Sequence, residues 1–339
     1  MVTIKEVAKS SGLSVGTVSN VINGLETVSE ANRKKVNNAI NRLGFKPSRI
    51  AASLSSKKTG NIGIIVPDVS SPFYSEMIKG ISETLEINGL NVFLSGSNDD
   101  LDKETRLIKN MMDSWVDGLI IVPVYERENE PGILNEAKIP IVLVNREIRG
   151  VSRDLVVFNN FKGAYNATVY LIKNNHKKII ILSGPKYSRS FEDRVMGFKE
   201  AMEENGLYSD SLVFSCKYSE KSGYEAMHKA LGRLENIDAV FASSDLIALG
   251  AIAAIRERGL DIPGNISIVG FGDIYLSRYL HPPLTTIKRP FYNTGKTAVS
   301  LLLERISQQR KDSDCKSEPE RIIMQDFLEV RKSVKTKSV

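Results

Sequence analysis

The sequence is poor in the residues that build disulfide-rich or metal-binding proteins. Two cysteines and three histidines occur in 339 residues, and neither Cys216 nor Cys315 has further potential metal ligands spaced around it. Two isolated thiols neither form a disulfide framework nor bind zinc. We therefore expect free cysteines in a reducing compartment. The histidines form no HExxH pair, which argues against a zinc enzyme. We therefore expect no metal and no other cofactor.

Long apolar runs are also missing. No uninterrupted apolar segment approaches the ~18 residues that a membrane span needs, and residues 1–6 contain no apolar core of a secretory signal. These absences predict a cytoplasmic chain with no membrane partner. GxSxG motifs and paired catalytic carboxylates are absent as well, and TGKT at 294–297 has Pro290 where a phosphate loop needs glycine. We therefore expect no enzymatic activity.

Acidic residues are scarce near the N-terminus. Residues 1–60 contain ten lysines and arginines against three acids, a net charge of +7, whereas the remaining 279 residues carry a net charge of −1. An excess of positive charge confined to one end is typical of proteins that bind a polyanion such as DNA. A basic, solvated surface would have the same composition, so the charge alone leaves both interpretations open.

The same segment has the pattern of three short helices. Thr3-Ile4-Lys5-Glu6 has the form of a capping box, and Gly12 suits the end of the first helix. Ser14 can cap a second helix and Ser29 a third. Two helices joined through Gly12-Leu13-Ser14 predict a helix-turn-helix. The residues expected to face inward are Ile4, Val7, Ala8, Val18, Val21, Ile22, Ala31, Val36, Ile40 and Leu43.

The second predicted helix carries small polar residues between its valines. Gly16, Thr17, Ser19 and Asn20 would face outward, and their short side chains would let the backbone approach base edges and phosphates in the DNA major groove. A three-helix cap that packs on another part of the chain is the structural alternative. The helical pattern and the charge of +7 together favour DNA binding.

From Asn61 onward, apolar strands alternate with amphipathic helices. Segments such as NIGIIVPD at 61–68 and KKIIILSGP at 177–185 predict buried strands, and both halves contain a helix that ends in Asn-Gly-Leu. Repeated βα units predict parallel sheets covered by helices on both faces. We expect two such lobes, with a small-molecule cleft where loops leave the carboxyl ends of the strands.

The motifs VTIKEVAKSSGLSVGTVSNVING and SRIAASL resemble the DNA-binding headpiece of the lactose/galactose repressor (LacI/GalR) family, and the similarity continues to about residue 330. It implies an all-α helix-turn-helix headpiece plus hinge helix, followed by an α/β two-lobed core of the type I periplasmic-binding-protein type. The implied domains are 1–47 for DNA binding, 48–60 for the hinge helix and linker, 61–331 for the effector-binding core and 332–339 for a tail. The N-terminal lobe is expected at about 61–158 and 290–315, and the C-terminal lobe at about 159–287 and 318–331.

The resemblance also assigns residues to DNA contact. Val15, Gly16 and Asn20 match base-reading positions, and Leu54 matches a leucine that the family inserts into the minor groove. Many members carry arginine at the position of Asn20, and asparagine favours adenine over guanine. The full set expected to contact DNA is Thr3, Ser14, Val15, Gly16, Thr17, Ser19, Asn20, Asn23, Thr27, Ser48, Arg49, Ala51 and Leu54.

In the expected effector site, Arg194 matches the family arginine that binds the ligand, and Tyr218 matches an aromatic position in the cleft wall. Phe73 has the alternative role of a core aromatic residue. Gly272 stands where many sugar-binding members have the first of two aspartates, which leaves Asp273. The expected effector set is Ser71, Phe73, Tyr74, Arg146, Arg194, Tyr218, Ser244 and Asp273. Because the expected set has few acids and two arginines, the sequence slightly favours a ligand with a carboxylate or phosphate.

We therefore expect a cytoplasmic homodimer, nucleoid-associated when DNA-bound, that binds a near-palindromic double-stranded operator. It would regulate transcription, most often by repressing carbohydrate-utilisation genes, under control of a sugar, sugar acid or sugar phosphate in the cleft. A dimer is favoured over a tetramer because RKSVKTKSV at the C-terminus lacks leucine heptads. The alternatives are a solute-binding protein without a DNA role, a metabolite-corepressed or purine-type regulator, and an enzyme on an α/β scaffold.

Overall fold

The computed structural model describes residues 2–22, 24–25, 27–45, 59–114, 116–128, 132–185, 188–311 and 318–337. The chain divides into two compact units, Met1–Gly60 and Asn61–Val339. Five residues predicted to contact DNA lie outside the described residues, namely Asn23, Ser48, Arg49, Ala51 and Leu54. The predicted hinge helix also falls there.

The first unit contains helices α1 (Ile4–Ser11), α2 (Val15–Ile22) and α3 (Glu30–Leu43). The Thr3 N–H donates to Glu6 Oε2 at 2.7 Å, and the Thr17 N–H donates to Ser14 Oγ at 3.1 Å. Gly12 ends α1 in the left-handed region at φ 69°, where glycine carries no Cβ penalty. The end signals predicted at Thr3, Gly12 and Ser14 are confirmed, whereas Ser29 precedes α3 without a side-chain cap bond.

The core of this unit contains Val7, Ala8, Val18, Val21, Val36 and Ala39. The prediction for Ala31 is wrong, because Ala31 is exposed and Ala39 is buried in α3 instead. Ala31 lies five residues before Val36, which places it roughly 140° around the helix axis from the buried face.

The N-terminal lobe of the second unit contains strands β1 (Asn61–Val66), β2 (Asn91–Gly96), β3 (Gly118–Ile121), β5 (Ile141–Val144), β7 (Asp154–Phe158) and β13 (Arg321–Met324). They form one parallel sheet in the order β13-β7-β5-β3-β1-β2. Helices α4 (Pro72–Ile87), α5 (Leu101–Asp113), α6 (Ile133–Glu136) and α11 (Phe291–Lys311) belong to this lobe. Two short strands, β4 (Arg127–Glu128) and β6 (Ile148–Arg149), pair separately.

The C-terminal lobe contains β8 (Ile179–Leu182), β9 (Val213–Phe214), β10 (Ala239–Ala242), β11 (Ser267–Gly272), β12 (Thr285–Lys288) and β14 (Phe327–Glu329). The sheet order is β14-β12-β11-β10-β8-β9, and β14 alone runs antiparallel to its neighbour. Its helices are α7 (Asn160–Lys173), α8 (Arg189–Glu204), α9 (Glu220–Arg233) and α10 (Asp245–Glu257). Three- to four-residue 3₁₀ turns occur at Asp210–Leu212 and Tyr275–Arg278.

The two lobes use the same helix end. Asn-Gly-Leu terminates both α4 and α8, with Gly89 at φ 69° and Gly206 at φ 66°. The Leu90 N–H donates to Leu85 O and the Leu207 N–H to Met202 O, each at 2.9 Å. The weak internal repeat in the sequence therefore corresponds to one local structure used twice.

The chain passes between the lobes at three crossovers, between β7 and α7, between β12 and α11, and between β13 and β14. One predicted lobe boundary is wrong, because residues 321–324 form β13 of the N-terminal lobe and Arg321 pairs with Leu155. The predicted tail also differs from the structure. Ser333 accepts a hydrogen bond from the Thr285 N–H at 2.8 Å and donates to Ile268 O at 2.6 Å, so the described part of the tail packs on the C-terminal lobe.

Candidate functional site

The outer surface of α2 presents the residues predicted to read DNA bases. Val15 is 42% exposed, and Asn20 is half-buried at the next turn of the helix. A Cβ added to Gly16 would meet only Ser14 Oγ, at 3.8 Å. Packing within the protein therefore does not require glycine at this position. Contact of α2 with base edges stays the prediction for this position, because DNA recognition helices place their first residues there.

The other described DNA candidates surround this surface. Thr3, Ser14 and Thr27 are exposed, and Thr17 and Ser19 are half-buried. Ser14 also has a structural role, since its Oγ caps α2 and lies 2.9 Å from Thr17 Oγ1. The structure brings these residues to one unit, and their contact with DNA stays a prediction.

A cavity of about 800 Å³ lies between the two lobes of the core. The N-terminal lobe contributes Pro67, Asp68, Ser70, Ser71, Pro72, Phe73, Tyr74, Asp99, Val124, Tyr125, Glu126, Asn145 and Arg146. The C-terminal lobe contributes Pro185, Ser188, Ser190, Phe191, Arg194, Tyr218, Glu220, Ser244, Leu246 and Phe271. Many of these residues follow the carboxyl ends of parallel strands, which is where α/β sheets bind ligands.

Seven of the eight residues predicted to bind an effector line this cavity, namely Ser71, Phe73, Tyr74, Arg146, Arg194, Tyr218 and Ser244. Burial raises the pKa of both Tyr74 and Tyr218, so their phenol groups stay neutral at pH 7. The ring centroids of Phe73 and Phe291 are 4.4 Å apart. Phe73 therefore packs on a core aromatic residue and also lines the cavity, and its contact with an effector stays a prediction.

Asp273 is the exception and does not line the cavity. Its Oδ1 lies 2.7 Å from Arg331 Nη2, and its Oδ2 lies 3.8 Å from Lys288 Nζ. The preceding Gly272 adopts φ 135°, a conformation that residues with a side chain rarely take. The first-aspartate position of the family motif thus holds a glycine in a conformation that would strain an aspartate, and the remaining aspartate is used in an ion pair.

Arg194 is the best-defined polar group of the cavity. Its Nε and Nη2 donate to Asn160 Oδ1 at 3.0 and 2.8 Å, and its Nη1 donates to Ser243 O at 2.6 Å. The guanidinium also stacks over Phe271 at 4.1 Å and Phe191 at 4.6 Å. Burial lowers the pKa of Arg194 to about 9, and the positive charge of Arg289 adds to the shift.

Three of the five guanidinium N–H groups of Arg194 are used in these bonds. Arg194 also lines the cavity between the lobes. The side chain is also held in one orientation by its own lobe before any ligand arrives. Arg194 is therefore a preorganised hydrogen-bond donor on the cavity wall.

Ser244 and Asp245 stand next to each other at the start of α10 but have different roles. Ser244 is the N-cap of α10 and accepts from the Ile247 N–H at 3.2 Å, while it also lines the cavity. Asp245 is buried and accepts from the Ile274 N–H, Ser277 Oγ and Thr286 Oγ1 at 2.9, 2.7 and 2.6 Å. This carboxylate ties three elements of the C-terminal lobe together.

Two buried charges occupy the crossovers behind the cavity. Arg289 is 3% exposed and donates to Asn145 Oδ1 at 3.1 Å, whereas its Nε and Nη1 and both oxygens of Asp326 have no hydrogen-bond partner. Burial lowers the pKa of Arg289 to about 10. Burial raises the pKa of Asp326 to about 6, against the opposing effect of Arg289 and Arg194.

None of the four acids that line the cavity was predicted from the sequence. Asp68, Asp99, Glu126 and Glu220 line it, so four carboxylates face the guanidinium groups of Arg146 and Arg194. Arg146 donates to Pro123 O at 2.8 Å and to Val124 O, which occupies part of its donor capacity. The available signal was position, since Asp68, Asp99 and Glu126 follow strands β1, β2 and β3. No motif marks these residues in the sequence.

Among the residues that the structure describes, no group of three or more His, Cys, Asp or Glu side chains is arranged to hold a metal ion. None of the described helices combines the length and the apolar character needed to cross a bilayer.

A helix-turn-helix unit followed by a two-lobed α/β core with a polar cleft defines a ligand-responsive DNA-binding protein. The sequence matches the family "Bacterial regulatory proteins, lacI family" over residues 3–48. It also matches "Periplasmic binding proteins and sugar binding domain of LacI family" over residues 59–328. The chain belongs to the LacI family of transcriptional regulators, whose members are DNA-binding regulators.

Similar proteins support this assignment over the full length. Catabolite control protein A of Priestia megaterium is 35% identical over 323 residues, 95% of this chain and 97% of that protein. The HTH-type transcriptional repressor PurR of Histophilus somni is 36% identical over 338 residues, 99% of this chain and 100% of the repressor. The Lac repressor dimer bound to operator and the anti-inducer ONPF is 27% identical with a TM-score of 0.83, covering 98% of this chain and 99% of that one. A complex of the regulator CelR with cellobiose is 30% identical with a TM-score of 0.73, covering 98% of this chain and 100% of that one.

Proposed function

We propose that this chain is a homodimeric repressor whose operator binding is controlled by a neutral sugar in the cavity between its lobes. The observation that carries the proposal is Arg194, whose guanidinium is fixed by Asn160 and Ser243 and lines a cavity of about 800 Å³. A hydrogen-bond donor that is already fixed can orient a sugar through its hydroxyl oxygens, because binding then costs little side-chain entropy.

The charge of the lining favours a neutral ligand over an anionic one. Four carboxylates and two guanidinium groups face the cavity, and Arg146 is already bonded to carbonyl oxygens of its own lobe. Carboxylates accept hydrogen bonds from sugar hydroxyl groups and repel phosphates and carboxylates. The slight preference for an anionic ligand that the sequence suggested is therefore not retained. The regulator CelR bound to cellobiose is an example of a similar protein with a neutral sugar.

The aromatic residues of the cavity support the same ligand class. Phe73 from one lobe and Tyr218 and Phe191 from the other present ring faces or edges to the space between the lobes. The C–H faces of a sugar pack well on such rings, while its hydroxyl groups reach the surrounding serines and carboxylates.

Exposed apolar residues on both lobes support a dimer. β2 is the edge strand of its sheet, and Phe93 and Leu94 on it are 52% and 42% exposed. In the C-terminal lobe, Tyr275 and Tyr279 are each 58% exposed. Large apolar side chains on an unpaired sheet edge are a natural contact for a second chain, and the similar Lac repressor structure is a dimer.

In this proposal the first unit supplies the DNA contacts, with Val15, Gly16 and Asn20 against bases and Thr17 and Ser19 against phosphates. A protein with this role acts where the DNA is, in the cytoplasm and on the nucleoid. The ligand is a signal, so we expect no turnover of a bound sugar.

Selection of DNA sites from a random pool by the full-length chain tests the DNA-binding part of the proposal. The variant compared with it is Gly16→Glu. A side chain at this position enters open space and leaves the fold intact, whereas its bulk and negative charge oppose DNA binding. We expect the wild-type chain to enrich one near-palindromic site and the variant to enrich none. Enrichment of the same site by both proteins would contradict the assignment of α2 to the major groove.

A further inference from the structure

Glu126 connects the two lobes directly across the cavity. It follows β3 in the N-terminal lobe, and its carboxylate reaches the first turn of α8 in the C-terminal lobe. The Ser190 N–H donates to Glu126 Oε1 at 3.2 Å, and the Ser190 hydroxyl donates to the same oxygen. The Ser188 hydroxyl donates to Oε2 at 3.3 Å. One side chain thus accepts three hydrogen bonds from the opposite lobe.

The charge of Glu126 suits the position that it reaches. The N–H groups of the first turn of a helix have no acceptor within the helix, and Ser190 is the second residue of the 16-residue helix α8. A carboxylate is favoured there by the helix dipole, and hydrogen bonds to a charged acceptor are stronger than those to a neutral one. The contact is therefore stronger than a polar contact between two neutral surface groups.

The loop that carries Glu126 is anchored to its own lobe. The Val124 N–H donates at 2.7 Å to the buried carboxylate of Glu104 in α5. Arg146 donates to Pro123 O at 2.8 Å and to Val124 O. Because these bonds hold the backbone just before Glu126, the bonds to α8 join one lobe to the other and not merely a loose loop to a helix.

The same helix carries the proposed ligand donor. Ser190 and Arg194 lie one turn apart on α8 and both line the cavity, as does Ser188 before the helix. A sugar bound to Arg194 would bring its hydroxyl groups close to the two serines. Those hydroxyl groups can accept the hydrogen bonds that Glu126 accepts in this structure.

We propose that Glu126 is an interlobe clasp that holds the two lobes together, and that the hydroxyl groups of a bound sugar take over Ser188 and Ser190 and release it. The second half of this inference rests on the proposed function, since it requires a sugar in the cavity. The first half concerns the ligand-free chain alone.

The clasp is tested by the distance between the lobes in the full-length, ligand-free chain. Spin labels at Lys109→Cys in α5 and Lys229→Cys in α9, both exposed, report this distance in a Cys216→Ser, Cys315→Ser background. Labelled protein is diluted with unlabelled protein so that distances within one chain dominate. Pulsed dipolar spectra are compared for the wild-type residue, Glu126→Ala, Glu126→Gln and Glu220→Ala.

We expect Glu126→Ala to broaden the distance distribution and to shift it, because the lobes are no longer joined. Glu126→Gln keeps an acceptor oxygen without the charge and is expected to lie between Glu126→Ala and the wild-type residue. Glu220→Ala removes another carboxylate that lines the cavity, without removing a bond to α8, and is expected to match the wild type. Circular dichroism and the melting temperature verify that each variant is folded.

A Glu126→Ala distribution that coincides with the wild-type distribution would overturn the clasp. An equal shift in Glu220→Ala would also overturn it, since the effect would then reflect the charge of the cavity and not this contact. The measurement uses neither DNA nor sugar. A negative result therefore leaves the proposed function standing, and failure of the DNA selection does not affect the clasp.

Discussion

The two lobes share one sheet order but hold their cavity residues in different ways. In the C-terminal lobe, Arg194 is fixed by Asn160 and Ser243, and Asp245 accepts three hydrogen bonds within the lobe. In the N-terminal lobe, Arg146 is bonded to carbonyl oxygens of its own lobe, whereas Glu126 is bonded to the other lobe. Each lobe thus fixes one guanidinium of the cavity within itself, and a carboxylate of the N-terminal lobe in addition joins the two lobes.

This difference separates two requirements of a ligand-controlled regulator. Recognition of a ligand is most economical on groups that are already oriented. Control requires groups whose partners differ between two arrangements, because a ligand shifts an equilibrium only through contacts that differ between its states.

The largest expected effect on stability is that of Asp245→Ala. The substitution leaves the Ile274 N–H and the hydroxyl groups of Ser277 and Thr286 without their acceptor. Each unsatisfied buried group costs about 1–3 kcal/mol, so we expect the free energy of unfolding to fall by roughly 4 kcal/mol in urea denaturation. A loss below about 1 kcal/mol would show that Asp245 does not tie the lobe together.

The largest expected effect on ligand response is that of Arg194→Gln. Hydrogen bonds to a charged group contribute about 1.5–3 kcal/mol, so we expect the sugar concentration that half-releases operator to rise by about 100-fold. Operator affinity without sugar should change little, as measured by fluorescence anisotropy. Lys199→Gln on the exposed side of the same helix is the control. If both variants responded like the wild type, Arg194 would not be a ligand donor.

The contributions of Asp326 and Asp238 to the free energy of unfolding are expected to change with pH in opposite directions. Burial raises the pKa of Asp326 to about 6, above its unfolded value of 3.8. The wild-type chain therefore loses stability as pH rises from about 4 to 6. Since each pKa unit corresponds to 1.36 kcal/mol, we expect Asp326→Asn to raise the free energy of unfolding at pH 7 by about 2 kcal/mol and to have little effect near pH 4.

For Asp238, burial favours a higher pKa, but His176, Lys337 and the backbone N–H groups of Lys177 and Lys178 outweigh it and hold the pKa below the usual value. Asp238→Asn should therefore lower the stability at neutral pH, and the difference from the wild type should shrink as the pH falls through the unfolded pKa and below it. Urea denaturation of both variants at several pH values checks the pair. The same sign of the stability change in both variants at pH 7 would contradict this account.

The smallest expected effect compares two serines at the N-termini of cavity helices. Ser244 Oγ accepts from the Ile247 N–H at 3.2 Å, whereas Ser71 precedes α4 without a cap bond. Loss of a serine cap costs about 1 kcal/mol. We expect that loss in Ser244→Ala and almost none in Ser71→Ala, measured as shifts in the urea midpoint at constant slope. Equal losses would remove this distinction between the lobes.

Local features of the fold were predictable from the sequence. Thr3, Gly12 and Ser14 end or begin helices as expected, and the two Asn-Gly-Leu segments form matching turns, because such signals act within a few residues. The assignment of residues 321–324 to the wrong lobe has a different cause. β13 pairs with β7, more than 160 residues earlier, and no local pattern specifies that partner.

The cavity was predictable only in part, for the same reason. Arg194 and Tyr218 were placed by resemblance and do line the cavity. Asp273 was placed in the same way, but the backbone conformation at Gly272 and the nearby Arg331 direct its side chain into an ion pair. Glu126 belongs to no recognisable sequence motif. Its contact with Ser190 forms only because the two lobes face each other, which the local sequence does not specify.

The most direct test of the central claim is the affinity of the full-length chain for its selected operator in the presence of a panel of neutral sugars and of their phosphates and acids. We expect at least one neutral sugar to change the operator Kd of the wild-type chain by about 10-fold or more, within the usual range of allosteric coupling, and to leave Arg194→Gln unaffected at the same concentration. A response confined to anionic ligands, or an equal response in Arg194→Gln, would contradict the account.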